Sequence, residues 1–373
     1  MTYPRYTDLA QGLPSTVPFV GPETQERSRG RTFDARLGAN ESGFGPSPSA
    51  IRAIGEAARG AWMYGDPEVH DLRRALGSHL GVAPEAVIAG EGIDALLGYI
   101  ARLLVGPGDA VVTSDGAYPT FNYHVAGFGG VLHKVPYRDD TEDPEALVAK
   151  AAEVDAKIIY LANPDNPMGS FHGAERLAAM REALPEGCLL VLDEAYVEFA
   201  PEDDLLELDP SDEGIIRLRT FSKAYGLAGL RVGYGVGHPE LIRAFDKIRN
   251  HFGLGRVAQA GALAALADTA HLARVQGEVE AARRRIGRIA AANGLTPLPS
   301  CTNFVTLDCG GGAARAKALV AELGRRGVFI RMPFAAPQDR CIRISAAPEA
   351  ELSRLEKVLP EALAALSTPV HEK

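Results

Sequence analysis

IIRLRTFSKAYGLAGLRVGYGVG, residues 215–237, is the stretch whose reading decides the rest of the chain. Its two ends, IIRLR and LRVGYGV, are short runs rich in aliphatic and β-branched residues and read as buried strands. Lys223 then falls on the loop between them, among hydroxyls and small residues, with Arg231 eight positions on. A lysine there gains little as a surface charge. Partial burial beside a cation depresses a lysine pKa and frees the amine as a nucleophile, the condition for forming a Schiff base. Thr220, Ser222 and Arg231 are spaced to surround an anionic group next to that amine. An amine and an anion site on one loop point to pyridoxal phosphate (PLP). A plainer reading stays open for each residue alone: Lys223 capping a helix end, Arg231 paired to some carboxylate.

Three segments upstream add to it. After a strand-like run at 157–161 comes ANPDNPMG, residues 162–169, where two Asn-Pro pairs make a rigid turn. Asn166 would present its amide at the carboxyl end of a strand, where open α/β sheets bind ligands. LLVLDEAY, residues 189–196, carries a buried strand into Asp193, Glu194 and Tyr196, although an acid at a strand tip also serves as a helix cap. AVIAGEGIDALL, residues 86–97, runs a strand through Gly90, Glu91 and Gly92 straight into a helix. Glycines there admit close backbone approach, and the first turn of the helix offers free N–H groups to a phosphate. The same segment matches GxGxx(G/A), with Asp115 twenty residues after Ala95, the spacing of a nicotinamide-binding unit. An NAD-dependent dehydrogenase is therefore a rival. It explains Gly90 to Asp115 and gives no work to Asn166, Asp193, Lys223 or Arg231, which all fall at consecutive strand ends of one sheet.

The wider pattern is α/β. Residues 71–80 and 93–104 read as helices, 121–126 as part of another, and 86–89, 110–114, 131–135, 157–161 and 189–192 as short strands. Such alternation implies a mostly parallel sheet covered on both faces. Beyond Gly237, helices are expected at 239–248, 257–268, 271–293, 314–326 and from Pro348, with strands at 304–307, 328–331 and 341–345. The expected division is an N-terminal arm over 1–40, a large domain over 41–270 and a small α+β domain over 271–373.

A net charge of −9 over 373 residues argues against nucleic acid as a partner. The basic run Arg283 to Arg285 with Arg288 reads as a solvated helix face. The four cysteines show no paired spacing and the nine histidines no metal-ligand spacing, so no metal is expected, and a reducing compartment is. No leader and no membrane-spanning run is read, giving a cytoplasmic expectation.

NPDNPMG, DEAY and SKAYGLAGLR, in that order, resemble the aspartate-aminotransferase superfamily of PLP-dependent enzymes, fold type I, and within it the histidinol-phosphate aminotransferase group. The resemblance runs from ANESGFGPSP at 39–48 to CIRIS at 341–345. It implies a mostly parallel seven-stranded sheet between helices plus a smaller α+β domain. It implies that Lys223 forms the internal aldimine and moves the proton at the substrate α-carbon, and that Asp193 pairs with the pyridine nitrogen. Asn166 and Tyr196 would bond the phenolate oxygen, and Tyr118 would stack on the ring. Thr220, Ser222, Arg231 and the backbone of Gly90, Glu91 and Gly92 would hold the phosphate, joined by Tyr64 from the second subunit of a homodimer. Asn40, Arg331 and Arg343 would meet substrate. The implied reaction passes an amino group from histidinol phosphate to 2-oxoglutarate by a ping-pong cycle. An aromatic or other amino-acid aminotransferase, and a decarboxylase of an amino-acid phosphate, remain alternatives, because the chain departs from the group at Asn250, His251 and Phe252 and in the Asp165 of NPDNPMG.

Overall fold

The computed structural model describes residues 4–15 and 20–367. Parts of the expected arm (1–3, 16–19) and the end of the expected small domain (368–373) lie outside the described residues. The strands, in chain order, are β1 (Ala35–Arg36), β2 (Val87–Gly90), β3 (Ala110–Ser114), β4 (Val131–Val135), β5 (Ile158–Ala162), β6 (Leu189–Asp193), β7 (Ile215–Thr220), β8 (Gly233–Gly237), β9 (Thr296–Pro297), β10 (Phe304–Asp308), β11 (Val328–Phe329) and β12 (Cys341–Ser345).

Seven of them form one sheet in the order β2-β8-β7-β6-β5-β3-β4. The pairs from β7 through β4 are parallel, and β8 alone runs against its neighbours β7 and β2. The mostly parallel seven-stranded sheet implied by the sequence is present. Its central strands are continuous apolar runs because both faces are covered. In β5, Ile158 and Tyr160 join the core that holds Leu96, Leu97 and Ile100 of helix Gly92–Leu104. Ile159 and Leu161 point the other way, into the core of Leu147 and Leu177. A third core, with Leu72, Leu76, Phe221 and Tyr234, covers the β2–β8 edge.

A smaller antiparallel sheet, β12-β10-β9, packs with helices Thr269–Ala292, Gly312–Arg325 and Glu349–Ser367 around a separate core containing Ile286, Phe304, Leu319 and Leu355. β1 pairs in parallel with β11, tying the chain just before Asn40 to this smaller unit.

Several expected elements shift. The strand expected at 328–331 is two residues long, and Arg331 instead makes an isolated bridge to Arg343. The helix expected over 239–248 is α-helical only at Pro239–Ala244 and tightens to a 3-10 turn at Phe245–Lys247. Five α-helices were not anticipated: Asp8–Gly12 and Pro22–Arg29 within the arm, Pro48–Ala58, Pro144–Val154 and Ala174–Glu182. Three of these begin with proline at the first helical position, where its missing N–H is harmless. Ser47 and Asp143 cap two of those starts by accepting the N–H of Ala50 and of Ala146.

Candidate active site

β5, β6 and β7 end side by side, and the antiparallel β8 begins at the same edge. Asn166, Asp193, Lys223 and Arg231 therefore gather along one rim of the sheet. The β7–β8 loop is pinned by Phe221, fully buried and packed on Tyr225 and Tyr234 with ring centroids 4.8 and 5.9 Å away. Thr220 Oγ1 accepts the N–H of Ser222 at 3.0 Å and donates to the Val232 carbonyl at 3.3 Å, closing the turn that presents Lys223.

Lys223 Nζ donates to the Asn40 carbonyl at 3.1 Å. Burial pushes its pKa down to about 8, with the Arg343 guanidinium adding to the fall. Asp193 Oδ2 accepts the Tyr160 hydroxyl at 2.8 Å and Oδ1 accepts the Ala195 N–H at 3.0 Å. Burial still pushes the Asp193 carboxyl up to about 6. The Tyr196 hydroxyl accepts from Asn40 Nδ2 at 3.1 Å, and its ring meets Phe304 edge-on at 5.5 Å.

Asn40 is the hub. It is 2% exposed and holds the left-handed backbone at φ 54. Its N–H donates to Ser345 Oγ at 3.0 Å, the Ser345 hydroxyl donates to its Oδ1 at 2.9 Å, and Asn303 Nδ2 donates to its carbonyl at 3.0 Å. These bonds over-determine a conformation that asparagine tolerates better than most residues.

Arg343 donates to Asn166 Oδ1 and, at 3.3 Å, to the Gly38 carbonyl, with its guanidinium 5.1 Å from the Phe304 ring centre. Arg331 donates to the Val20 carbonyl at 3.0 Å, and its backbone bridges that of Arg343. Burial lowers the pKa of both arginines.

A cavity of about 430 Å³ opens between these groups. Lys223, Asp193, Tyr196, Tyr118 and Asn166 line it, and so do Thr220, Ser222 and Arg231. Asn40, Arg331 and Arg343 line it as well. Four of the expected residues do not. Gly90 is tucked beneath Leu96, and the Glu91 carboxylate turns to the Tyr99 hydroxyl at 3.2 Å. Gly92, at φ +82, lies against Arg231: a Cβ there would come within 2.6 Å of the guanidinium. Gly233 is needed for the same closeness, since a Cβ on it would meet the Gly92 backbone at 2.7 Å. Tyr64 is 80% exposed and packs its ring 5.0 Å from Phe252, away from the cavity.

Tyr160, Asn303 and Ser345 were not read from the sequence. Tyr160 carried a signal, a hydroxyl in the middle of the otherwise apolar run IIYLA. Asn303 and Ser345 carried none, since they matter only through contacts spanning 263 and 305 positions.

Residues 35–359 match the family model for aminotransferase class I and II. The chain belongs to this family. The aminotransferase is 36% identical over 335 residues to histidinol-phosphate aminotransferase 1 of Mesorhizobium japonicum, covering 88% of this chain and 90% of that protein. It is 56% identical to the histidinol-phosphate aminotransferase of Sinorhizobium meliloti, whose crystal structure is in complex with pyridoxal-5'-phosphate; the match has a TM-score of 0.95 and covers 98% and 99% of the two chains. Aspartate aminotransferase of Thermus thermophilus in its maleate form shares the fold, with a TM-score of 0.79 at 22% identity over 97% and 99% of the two chains.

Membership overturns the dehydrogenase reading of Gly90 to Asp115. The Asp115 carboxylate is occupied by Lys134 Nζ at 3.1 Å and does not reach the cavity. No helix among the described residues is long and apolar enough to cross a membrane, and none of their His, Cys, Asp and Glu side chains cluster to hold a metal ion. Cys188, Cys309 and Cys341 are buried free thiols and Cys301 is half-buried.

Proposed function

We propose that this aminotransferase holds PLP in the cavity and exchanges an amino group between histidinol phosphate with 2-oxoglutarate and imidazole acetol phosphate with glutamate. One observation carries the reading: a single cavity has two anion stations on different elements, with an amine and a carboxyl between them in function. Arg231, Ser222 and Thr220 stand at the first, beside the uncapped start of helix Gly92–Leu104. Arg331 and Arg343, bridged through β12, stand at the second.

The residues fit PLP. The first station would take its phosphate, the Lys223 amine its aldehyde carbon, and Asp193 the proton on its ring nitrogen. Tyr196 and Asn166 would donate to its phenolic oxygen, and Tyr118 would cover a ring face. When bound, PLP supplies a ring that withdraws electrons from the substrate α-carbon. The protein's part is to orient and to move protons. Lys223, with its depressed pKa, holds or returns the proton at that carbon near neutral pH. Arg343 and Arg331 fix the substrate anion, and a guanidinium fork accepts a phosphate or a carboxylate equally. That lets two substrates use one site in turn.

The reading extends to the assembly: a large domain over 41–270, a small one over 271–373, and a cytoplasmic homodimer. Tyr64 (80%), Trp62 (83%) and Phe252 (53%) are large exposed rings that a second copy would bury, and the shared-site reading assigns Tyr64 to the neighbour's first station.

The test is a half-reaction followed by visible absorbance of the PLP-loaded protein, with amino donors added singly and no keto acid. Histidinol phosphate and glutamate should each shift the cofactor band, while phenylalanine and threonine phosphate should not. A shift with glutamate but none with histidinol phosphate would move the substrate to another amino acid and place the cause at Asn250, His251 and Phe252.

A further inference from the structure

Behind the turn that carries Asn166, outside the cavity, two carboxyl groups are buried side by side. Glu142 is 0% and Asp165 1% exposed. Glu142 Oε2 accepts the Ser114 hydroxyl at 2.5 Å and Oε1 accepts the Ala162 N–H at 3.0 Å. Asp165 Oδ1 accepts the Tyr137 hydroxyl at 2.9 Å and Oδ2 accepts the Met168 N–H at 2.9 Å. Each side chain acts directly on the other, and the Asp165 charge pushes the Glu142 carboxyl up. Carboxylates only accept, so these two can meet directly only with a proton between them. Two adjacent negative charges without water would repel strongly, so one proton is retained.

The surroundings decide which oxygen keeps it. Each carboxyl accepts one hydroxyl and one backbone N–H, so donors alone do not separate them; the Arg343 charge favours the ionised form of Asp165. Burial and the Asp165 charge push the Glu142 carboxyl well above its ordinary range. Burial also raises Asp165, to about 7.

We propose that Glu142 stands as a neutral acid donating to Asp165, and that this one-proton pair is a positioning device for Asn166 and, through it, Arg343. The connections are short. Glu142 ties the end of β3 (Ser114) to the end of β5 (Ala162) and to the turn at Asp165. Asp165 closes that turn through Met168, and through its own N–H to the Ser170 carbonyl at 2.8 Å. Asn166 is the next residue, and its Oδ1 accepts from Arg343. Other polar groups face the pair from each packed element. Tyr137 comes from the loop after β4, Tyr160 from β5 and Arg343 from β12. The ring of His172 bonds the Glu142 carbonyl at 2.9 Å and is itself met by Arg176 at 3.1 Å. Asp143, next in sequence, is occupied by Arg138 at 2.8 Å. Loss of the shared proton at alkaline pH leaves two charges in contact and pushes Asp165, and Asn166 with it, off its mark.

Glu142→Gln keeps a neutral donor in the same place; Glu142→Ala removes it. Infrared spectra of the PLP-loaded protein at neutral pH should contain a protonated-carboxyl stretch that Glu142→Gln lacks. Stability gives the second readout. A carboxyl whose pKa is raised by folding costs stability as pH climbs from its unfolded value toward its folded one, roughly tenfold in the folding constant per pH unit. Glu142→Gln should therefore gain in urea midpoint relative to wild type from pH 5 to pH 8. The third readout rests on the aminotransferase reading: KM for glutamate should rise on the alkaline side in wild type, less so in Glu142→Gln, and at all pH in Glu142→Ala. A Glu142→Gln protein that retains the infrared band, or tracks the wild-type stability profile, overturns the neutral acid. Histidinol phosphate proving inert while the band and the profile behave as stated would overturn only the substrate reading.

Discussion

Lys223 and Asn40 stand 183 positions apart and share one hydrogen bond, so the behaviour of the amine depends on a residue far outside its own loop. With its pKa near 8, a substantial part of Lys223 is neutral at physiological pH. The neutral amine is the nucleophile, so the rate at which apo-protein takes up PLP should rise with pH through about 8 and then level off, read by stopped-flow absorbance. Asp193 titrates the other way, because only its ionised form can hold a proton on the ring nitrogen. PLP affinity should weaken as pH falls through about 6. Asn40→Ala removes the bonds to Tyr196 and Ser345 and leaves a side chain less suited to φ 54. A loss of roughly 2 kcal/mol in urea unfolding is expected, together with a changed pH dependence of PLP uptake.

Between strands, the second acid of DEAY has a different employment from the first. Glu194 is 2% exposed and grips Arg217 and Arg219 of β7, the latter at 2.8 Å, while its N–H joins the Leu218 carbonyl. The tip of β6, with Asp193, is thereby locked beside the strand that leads to Lys223. Removing one partner of such a pair strands a buried charge, so Glu194→Ala should cost roughly 3–5 kcal/mol in denaturant unfolding, and Glu194→Gln clearly less. A Glu194→Ala protein as stable as wild type would show the pair to be dispensable. The inner strands β5 and β6 were legible because burial on both faces makes them nearly unbroken apolar runs, as in LLVL before Asp193. Helices Pro144–Val154 and Ala174–Glu182 were not legible, since their apolar stripes are diluted by alanine and the cap residues Asp143 and Gly173 also read as loop. The residues expected at strand ends, Asn166, Asp193 and Lys223 among them, do line the cavity. At Glu91 the motif speaks only for the backbone, while the side chain answers to Tyr99 further along the following helix.

Across the whole molecule, the exposed rings of Trp62, Tyr64 and Phe252 carry the proposed dimer. Phe252 lies beside Gly253, which leaves no room for a Cβ against the Glu91 carboxylate, and Tyr99 joins Glu91 to the Asn250 N–H at 3.0 Å. The surface patch and the first anion station are thus physically continuous. Phe252→Ser should shift sedimentation toward the monomer and weaken PLP retention together. A monomeric variant that keeps PLP as tightly as wild type would refute a shared site.

The anchoring of Asn40 has a consequence for how the protein is made. The carbonyl that receives the Lys223 amine is held by Asn303, and the amide that meets Tyr196 is held by Ser345. During synthesis the lysine, the acid and the first anion station leave the ribosome well before those two anchors do. A nascent chain can thus complete most of its sheet while its reactive amine still lacks the partner that orders it. The final strand, carrying Arg343 and Ser345, delivers the substrate anchor and the last support of the amine in one stroke, so prematurely ended chains would have neither.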